Sequence, residues 1–415
     1  MEAADVLQAL MSHPELSSTL RFQGQGLRPA PPTIADELRA WQNMTNEHCH
    51  IDWQRIVDRQ LAPWEHLGIH NHLFGNAYCD VKHVVFVRVV AGQLQYAFYW
   101  HAELISDDKQ FLTSRPTAAM WLIAMTYARA KARRQPMPDV ALVLYANDGA
   151  FPRSVSHVPL PMLGSVKCAY DRRHNASVSF PMLVQDHFGL TDGRTTLSLY
   201  HHLHDIQRAM GSHPWHLKVN RLFFSAKPQA SSRGHRDRIF ALRNSTTRYA
   251  IYDTNTPLKA NGRFRYLVYA QGNMGWSRRL RELALMNATV FVQTSSRCTE
   301  YYLDLFTPGQ HYVPVAEDFS DLDDQLVNMM HHPEMAETMA SAWAALGQEA
   351  LTLACTLDYV ESLLRQYATL QRTRPVSDAR WHQYSFERAM RGHLFTQPGP
   401  IGGMCDAYTD ELGGV

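Results

Sequence analysis

The sequence has 415 residues, of which 45% are hydrophobic and 19% charged, with a formal net charge of +1 at pH 7. This length suits two domains of ordinary size, and the apolar fraction lets each domain bury its own core. The near-zero charge argues against a protein that binds nucleic acid or a membrane surface mainly by electrostatic attraction. No apolar stretch approaches the roughly 20 residues that a membrane-spanning helix needs, so we expect no transmembrane segment.

The first part of the chain, residues 1–45, is amphipathic, and we expect it to form a helical extension. It lacks the basic start and apolar centre of a signal peptide, so the chain as written predicts a cytoplasmic protein. Six cysteines are scattered without CxxC spacing, which leaves disulfides open but gives no pairing. Asn-x-Ser/Thr triplets, which often arise by chance, begin at Asn43, Asn175, Asn244 and Asn287.

Residues 47–72 are rich in side chains that bind zinc, because they contain five histidines, two glutamates and Cys49. Imidazole and thiolate are preferred zinc ligands, and a zinc hydrolase built on this cluster is one interpretation of the chain. However, His48, Cys49 and His50 are adjacent, and no second group shows a ligand spacing such as HExxH. We therefore predict no metal site here.

The first half of the chain predicts strands and one long helix. Val84–Val90 and Gln95–Trp100 are apolar or alternating runs joined by Ala91-Gly92, which is typical of a hairpin. Residues 116–132 predict an apolar helix that ends in basic residues, as the helix dipole favours. Val140–Ala146 has the composition of a buried strand.

Asp148 comes directly after this strand, in the sequence Asn147-Asp148-Gly149. Open parallel sheets bind ligands beyond the carboxyl ends of their strands, so this aspartate is a candidate functional residue. An Asx-Gly pair after a strand is equally typical of an ordinary turn. Further along, residues 198–210 predict a helix and Arg221–Ala226 a short strand.

Residues 264–293 predict a strand, a glycine turn, a helix and a second strand, which is the βαβ unit of a parallel sheet. The run Phe264–Ala270 has strand length, Gly272 and Gly275 interrupt it, and Ser277 stands where a helix would begin. The amide N–H groups of such a helix start, together with the guanidinium of Arg279, would attract an anion. The glycine spacing matches neither GxGxxG nor GxxxxGK[ST].

The C-terminal part predicts helices without a catalytic cluster. Asp321-Leu322-Asp323 has the form of a DxD metal motif, but it precedes an amphipathic helix, where acidic residues cap the N-terminus. We predict a cap rather than a metal site. Residues 334–371 predict two long helices, and residues 373–415 predict a glycine-rich tail.

Several motifs together resemble glycosyltransferase family 90, which includes the Rumi-like protein O-glucosyltransferases and the fungal capsule xylosyltransferases. The glycine turn leads into GWSxRL at 275–280, and Glu300, Pro308 and HYVPV at 311–315 follow at the family's spacing. Cys49, Leu61–Trp64 and Gly68-Ile69 resemble the family's N-terminal pattern, and Pro138-Asp139-Val140, Asp148 and Pro152 resemble the frame of its catalytic base.

The resemblance implies an α/β fold of the GT-B type, in which two Rossmann-like domains face each other across a cleft. We expect an acceptor-side domain at 46–210 and a nucleotide-sugar-binding domain at 211–372. The implied reaction is the inverting, metal-independent transfer of glucose or xylose from a UDP-sugar to a hydroxyl of a protein or glycan, without a cofactor. The family often works in the lumen of the secretory pathway (ER or Golgi).

The resemblance also implies roles for individual residues. Asp148 would be the general base, and Asp186 and His187 are candidate acceptor contacts. The candidate donor contacts are Lys227, Arg236, Gly275, Trp276, Ser277, Arg279 and Glu300. Glu300 would stand at the start of a helix and bind the ribose hydroxyls, or it would only favour that helix start.

Two departures from the family pattern concern the candidate base and the donor site. Asn147 stands where the family usually has an arginine, and Ser225-Ala226 replaces an Arg-Gly pair that holds the nucleotide phosphates. Lys227 is expected to supply the missing charge, although without the fork geometry of arginine. These departures leave open an alternative, a weak or inactive relative that binds a glycan or nucleotide without turnover.

Overall fold

The computed structural model of the chain describes residues 49–70, 84–98, 111–145, 162–168, 178–180, 214–226, 235–253, 261–272, 277, 279–294, 298–372 and 381–385. These residues form a mixed α/β structure. Its helices are α1 (Gln54–Leu67), α2 (Phe111–Ala132), α3 (Arg236–Ala241), α4 (Arg279–Leu283), α5 (Leu322–His331), α6 (Pro333–Ala350) and α7 (Leu353–Leu370). Short 3₁₀ turns cover Trp215–Leu217 and Leu303–Leu305.

The strands belong to two main sheets and one short ladder. They are β1 (Val84–Val90), β2 (Gln93–Phe98), β3 (Val140–Tyr145), β4 (Met162–Gly164), β5 (Lys167–Cys168), β6 (Val178–Ser179), β7 (Val219–Ser225), β8 (Tyr249–Tyr252), β9 (Phe264–Tyr269), β10 (Thr289–Gln293), β11 (Cys298–Thr299), β12 (Val313–Val315) and β13 (His382–Gln383).

The first sheet has the strand order β13-β2-β1-β3-β4-β6. The β1–β2 hairpin and the β1–β3 pair are antiparallel, while β3, β4 and β6 run parallel. Ala91 and Gly92 connect β1 to β2 with φ angles of 49° and 74°. Positive φ at both positions is the geometry of a type I′ turn, which matches the twist of the two strands.

The second sheet is entirely parallel and has the order β12-β10-β9-β7-β8. Counted from β7, this is the order 2-1-3-4-5 of the flavodoxin-like doubly wound fold. Its strands are apolar on both faces: Leu222 and Phe224 of β7 contribute to one core cluster and Phe223 to the other. Such continuous burial is expected of a parallel sheet that is covered on both sides.

A short two-stranded ladder joins the regions that follow the two sheets. β5, which comes directly after β4 of the first sheet, pairs antiparallel with β11, which comes shortly after β10 of the second sheet. The loops beyond the carboxyl ends of parallel strands in the two sheets therefore meet. Near this ladder, Arg59 of α1 forms an ion pair with Asp304 at 3.1 Å.

The last long helix packs against the first sheet. α7 contacts α1, α2 and β3, while the preceding α6 packs against β10 of the second sheet. The guanidinium of Arg129, which is buried on α2, pairs with Asp358 and lies 3.4 Å from Glu361, both on α7. One disulfide, Cys49–Cys355, fixes the segment before α1 to the start of α7.

Most predicted elements are present, with shifted ends. The predicted hairpin is confirmed, and the helix predicted at 116–132 extends from Phe111, so that Pro116 lies inside it. The helix predicted after Ser277 is only five residues long, because it ends at Leu283. The prediction that a helix begins at Glu300 is wrong, since residues 300–302 form a turn before a 3₁₀ helix.

Candidate functional site

The strand order of the second sheet identifies where a ligand would bind. In a doubly wound sheet, the switch point lies between the strands from which the chain departs in opposite directions, here β7 and β9. Ligands bind in the crevice beyond the carboxyl ends of these strands. β7 ends at Ser225 and β9 at Tyr269, so these two residues mark the position.

Two predicted donor residues, Arg236 and Arg279, meet at this position. The Arg279 guanidinium donates a hydrogen bond to the carbonyl oxygen of Ser225, at the end of β7. Arg236, the first residue of α3, donates through Nε to the carbonyl oxygen of Gln271 at 2.9 Å, just past the end of β9. Both side chains are half-buried. The structure thus brings together two arginines that lie far apart in the sequence.

The two guanidinium groups are close enough to repel each other. Partial burial and the neighbouring charge of Arg279 lower the pKa of Arg236 to about 10. Two like charges held together in a partly buried place favour a bound anion, because the negative charge of the anion relieves their repulsion. Forked guanidinium groups suit a phosphate in particular.

A hydrogen bond that the sequence did not indicate joins the residues on either side of the glycine turn. The backbone N–H of Ser277 donates to the hydroxyl oxygen of Tyr269 at 3.0 Å. Tyr269 is buried, and this burial raises the pKa of its hydroxyl. The amide of Ser277 is thereby engaged, so Ser277 reaches the site as part of an anchored loop rather than as an open helix end. Gly275 and Trp276 lie outside the described residues.

Glu300 is enclosed in a buried ion pair. Its side chain is 4% exposed, and its carboxylate accepts from Arg281 at 2.8 Å and from the Tyr302 hydroxyl at 3.0 Å. Burial raises the pKa of the Glu300 carboxyl, and the charge of Arg281 opposes that shift. Both carboxylate oxygens have protein partners, so the contacts of Glu300 are those of a structural group behind the site.

A further residue, Gln293, joins three strand ends and was not predicted. Gln293 ends β10 and is buried, and its side-chain oxygen accepts from the N–H of Gln271 at 3.0 Å. Its side-chain amide group donates to the carbonyl oxygen of Glu317, which follows β12. An isolated glutamine at the end of an apolar run gives no sequence signal for such a bridge.

Besides Gly275 and Trp276, four more predicted site residues lie outside the described residues, namely Asp148, Lys227, Asp186 and His187. Their roles remain predictions. Ser225 and Ala226, which replace the Arg-Gly pair, are both buried at the end of β7. It is Arg279, from the other side of the switch point, that places a guanidinium against Ser225.

The two metal motifs weighed from the sequence have other partners. Asp323 accepts from Arg248 at 2.9 Å and from the Tyr249 hydroxyl, and Asp321 accepts from the N–H of Ala316 at 2.8 Å. Asp321 precedes α5, although its side chain makes no capping hydrogen bond to that helix. Cys49 is in a disulfide and is not available as a zinc thiolate. Within the described residues, no three His, Cys, Asp or Glu side chains are grouped as a metal site.

A known protein family matches most of the chain. The model of the family described as Glycosyl transferase family 90 matches residues 44–392. A curated viral protein, "Uncharacterized protein 035R" of Invertebrate iridescent virus 3, is 26% identical over 135 residues, which are 32% of this chain. That match spans only 12% of the viral protein.

Among solved structures, a glycosyltransferase from Rickettsia africae ESF-5 is similar over 65% of this chain and 84% of its own, with 9% identity and a TM-score of 0.33. A TM-score of 0.33 is too low for this likeness to support a conclusion about fold or function. In the described part of the chain, no helix is long and apolar enough to cross a membrane.

Proposed function

Because this chain belongs to glycosyltransferase family 90, we propose that it transfers glucose or xylose from a UDP-sugar to a hydroxyl group of a protein or glycan. Membership of the family supports sugar transfer, and both the reaction and the choice of donor are part of the proposal. The observation that carries it is the pair of guanidinium groups at the switch point of the parallel sheet. A nucleoside diphosphate is the anion that this type of crevice binds in many proteins.

Arg236 and Arg279 would neutralise the diphosphate and stabilise the charge that develops on it as the sugar leaves. Charge-assisted hydrogen bonds from guanidinium groups that are already in position cost little rearrangement during the reaction. In this proposal the two arginines do the electrostatic work that a metal ion does in other transferases. The buried bridges of Gln293 and Tyr269 would hold the backbone around them in place.

Asp148 is the proposed general base. In the sequence it closely follows β3, which ends at Tyr145 beside the parallel strand β4. A carboxylate there would accept the proton of the acceptor hydroxyl while its oxygen attacks the anomeric carbon. Attack on the face opposite the departing UDP inverts the configuration. Asp186 and His187 are proposed to contact the acceptor.

Two facing Rossmann-like domains, as in the GT-B arrangement, are part of the same proposal. The β5–β11 ladder supports it, because that ladder joins a loop after β4 of the first sheet to a loop after β10 of the second. A base that follows β3 and a diphosphate site at β7 and β9 would then lie on facing edges. The sugar would be transferred between them.

The donor site is tested by UDP binding to purified variants. We expect Arg236→Ala and Arg279→Ala each to raise the Kd for UDP about 10–100-fold, since a hydrogen bond to a charged group contributes about 1.5–3 kcal/mol. Arg238→Ala is the matched control, because Arg238 lies on the same helix but is exposed and pairs with Asp318. It should leave the Kd unchanged.

The reaction is tested by release of UDP from UDP-glucose and UDP-xylose in the presence of EDTA. Asp148→Asn should retain UDP binding and lose about 10²–10⁴-fold in turnover, the usual contribution of a general base. If the wild type binds UDP but turns over neither sugar with any acceptor, the inactive binding protein replaces the enzyme, as the Ser225-Ala226 replacement would allow. Absence of UDP binding would contradict the donor site itself.

A further inference from the structure

Two of the four Asn-x-Ser/Thr triplets lie among the described residues, and their surroundings differ. Asn244 is exposed on the turn that follows α3, and Ser245 beside it is exposed as well. Asn287, in contrast, has its side-chain oxygen buried without a hydrogen-bond partner among the described residues. The hydroxyl of Thr289, the third residue of that triplet, is also buried and donates to the carbonyl oxygen of Ala336 at 2.8 Å. The motif is thus exposed at Asn244, whereas the side-chain oxygen of Asn287 and the hydroxyl of Thr289 are buried in the other copy.

The topology places Asn244 away from the proposed donor site. α3 begins with Arg236 at the carboxyl edge of the second sheet, and the chain must return to the opposite edge before β8 begins at Tyr249. Asn244 lies on this return, close to the amino end of β8. A large group attached to Asn244 would therefore project from the edge opposite Arg236 and Arg279, and it would not obstruct a ligand there.

The disulfides supply an independent observation about the compartment. Cys49 and Cys355 are bonded although they are 306 residues apart in the sequence, and Cys298 is disulfide-bonded as well. Among the described residues there is no free cysteine. Stable disulfides form in oxidising compartments and are rare in the cytosol, where thiols are kept reduced. N-linked glycosylation takes place in one of these compartments, the lumen of the endoplasmic reticulum.

From these observations we propose that the chain carries an N-linked oligosaccharide on Asn244, while Asn287 carries none; the secretory lumen in which the family often works is the premise, and the disulfides agree with it. The exposed turn gives a transferase access to the Asn244 carboxamide, and Thr246 supplies the hydroxyl that the acceptor motif requires. This proposal does not rest on the sugar-transfer activity of the chain. It concerns a modification that the chain receives.

The covalent step uses a polyprenyl-pyrophosphate-linked oligosaccharide as the co-substrate. The side-chain nitrogen of Asn244 forms a bond to the anomeric carbon of the oligosaccharide, and the amide loses one proton. The bond between that carbon and the pyrophosphate oxygen breaks, and polyprenyl pyrophosphate leaves with the electron pair. No oxidation or reduction occurs.

The experiment measures site occupancy in the full chain, directed into the secretory pathway of a eukaryotic host by an added signal sequence. The folded fraction is purified, and peptides that contain Asn244 or Asn287 are examined by mass spectrometry before and after peptide N-glycosidase. We expect glycan on Asn244 in most molecules and none on Asn287. An unmodified Asn244 in folded protein, or a glycan on Asn287, would overturn the proposal.

Two variants of Thr246 control for the motif, since the Thr246 hydroxyl also accepts a hydrogen bond from the N–H of Arg248 at 3.2 Å. Thr246→Ser keeps the motif and should keep the glycan, whereas Thr246→Ala should lose it although Asn244 is unchanged. Retention of the glycan in Thr246→Ala would contradict the assignment. In protein taken from the cells that make it, free thiols at Cys49 and Cys355 would contradict the compartment.

Discussion

Tyr269 links the end of a buried strand to the loop in front of the proposed donor site. Its hydroxyl oxygen accepts the backbone N–H of Ser277, and its ring is buried in the core that both sheets share. The Ser277 amide is only partly buried, and a hydrogen bond of this kind contributes about 0.5–1.5 kcal/mol to stability. Tyr269 is therefore a positioning residue for the segment that leads to Arg279.

We expect Tyr269→Phe to lower the free energy of unfolding by about 0.5–1.5 kcal/mol through loss of this one acceptor. Because the loop is then less well fixed, the Kd for UDP should rise several-fold even where the protein is fully folded. Denaturant unfolding and calorimetric titration measure the two effects. Tyr252→Phe is the control, since Tyr252 is exposed at the end of β8. Equal behaviour of the two variants would contradict the positioning role.

The buried side chain of Lys218 predicts whether the free energy of unfolding rises or falls with pH. The side chain is buried, its Nζ donates to the carbonyl oxygen of Asn287, and burial lowers its pKa from 10.5 to about 8. Between these two values the unfolded chain holds the proton and the folded chain has released it. The free energy of unfolding should therefore rise as the pH increases from about 8 to 10.5, by about 1.4 kcal/mol for each pH unit in that range.

Lys218→Met removes this titration and retains an apolar side chain of similar length. We expect the variant to lose the rise between pH 8 and 10.5 and to gain stability relative to the wild type below pH 8. The difference between the two proteins isolates Lys218, because other groups titrate equally in both. Lys131→Met, at an exposed position on α2, should leave the pH profile unchanged. An identical profile for Lys218→Met would show that the lysine is not held uncharged.

At the scale of elements, the contact between α6 and the turn after α4 depends on a glycine. A Cβ atom added at Gly347 would lie 2.0 Å from the carbonyl oxygen of Ala284, which is backbone and cannot move aside alone. Nearby, the indole N–H of Trp343 donates to the carbonyl oxygen of Leu283 at 2.8 Å. The absence of a side chain at Gly347 thus lets the helix approach the segment that carries Arg279 and Arg281.

Gly347→Ala should therefore destabilise the protein by about 1–3 kcal/mol, the usual cost of overpacking. The sign is opposite to that at an open helix position, where alanine is more stable than glycine by about 1 kcal/mol. Ser341→Ala, at an exposed position of the same helix, should be neutral or slightly stabilising. Thermal and denaturant unfolding check both, and a stabilised Gly347→Ala would refute the close approach.

The Arg281–Glu300 pair joins α4 to the turn after β11. A variant of Glu300 distinguishes a structural role of this residue from the predicted contact with the ribose. Glu300→Gln removes the negative charge that faces the buried Arg281 guanidinium, which should cost about 3–5 kcal/mol. If the pair is structural, the folded variant should still bind UDP and 2′-deoxy-UDP with wild-type affinities. A selective loss of UDP binding would instead support the ribose contact.

A second variant tests the same pair in case the Glu300→Gln protein does not fold. Replacement of both partners, Arg281→Met with Glu300→Met, removes both buried charges together. Such replacements are often neutral or stabilising by about 1–4 kcal/mol. We therefore expect the double variant to recover most of the stability that the single variant loses. Failure to recover would indicate that Glu300 has a partner besides Arg281 and Tyr302.

The sequence predicted elements well where a local pattern decides them. The strand β9, the hairpin β1–β2 and the helices α6 and α7 follow from runs of apolar residues and turn residues a few positions apart. Local patterns did not show that α4 is one short turn, because its hydrophobic spacing suits a longer helix. It ends just before Ala284, against which α6, a helix from far along the chain, packs through Gly347.

The candidate site could be predicted only in part for the same reason. Arg279 stands within a recognisable motif, and Arg236 was chosen by resemblance. Their meeting at the ends of β7 and β9 depends on the strand order, which the sequence did not specify. Tyr269 and Gln293 were missed because an apolar run that ends in a polar residue is common to many strands. Their roles follow from hydrogen bonds between distant segments.

At the scale of the whole molecule, the start of the described chain is fixed to the start of its last long helix. Cys49 precedes α1, Cys355 lies in the first turn of α7, and α7 packs on both α1 and α2. In the same region the ring of Trp53 packs edge-on against Tyr359 and at a tilt against Tyr301, with ring centroids 5.2 and 5.6 Å apart. The disulfide thus closes a core to which the beginning of the chain, the turn after β11 and the last long helix all contribute.

Removal of this disulfide by Cys49→Ser with Cys355→Ser should lower the free energy of unfolding by about 2–5 kcal/mol, chiefly because the unfolded chain loses a long closed loop. The folded structure retains the aromatic packing, so UDP affinity at low temperature should stay near that of the wild type. Denaturant unfolding under non-reducing conditions measures the difference and leaves the bond of Cys298 intact. Equal stability of variant and wild type would mean that the packing of α1 on α7 is sufficient to hold these two segments together.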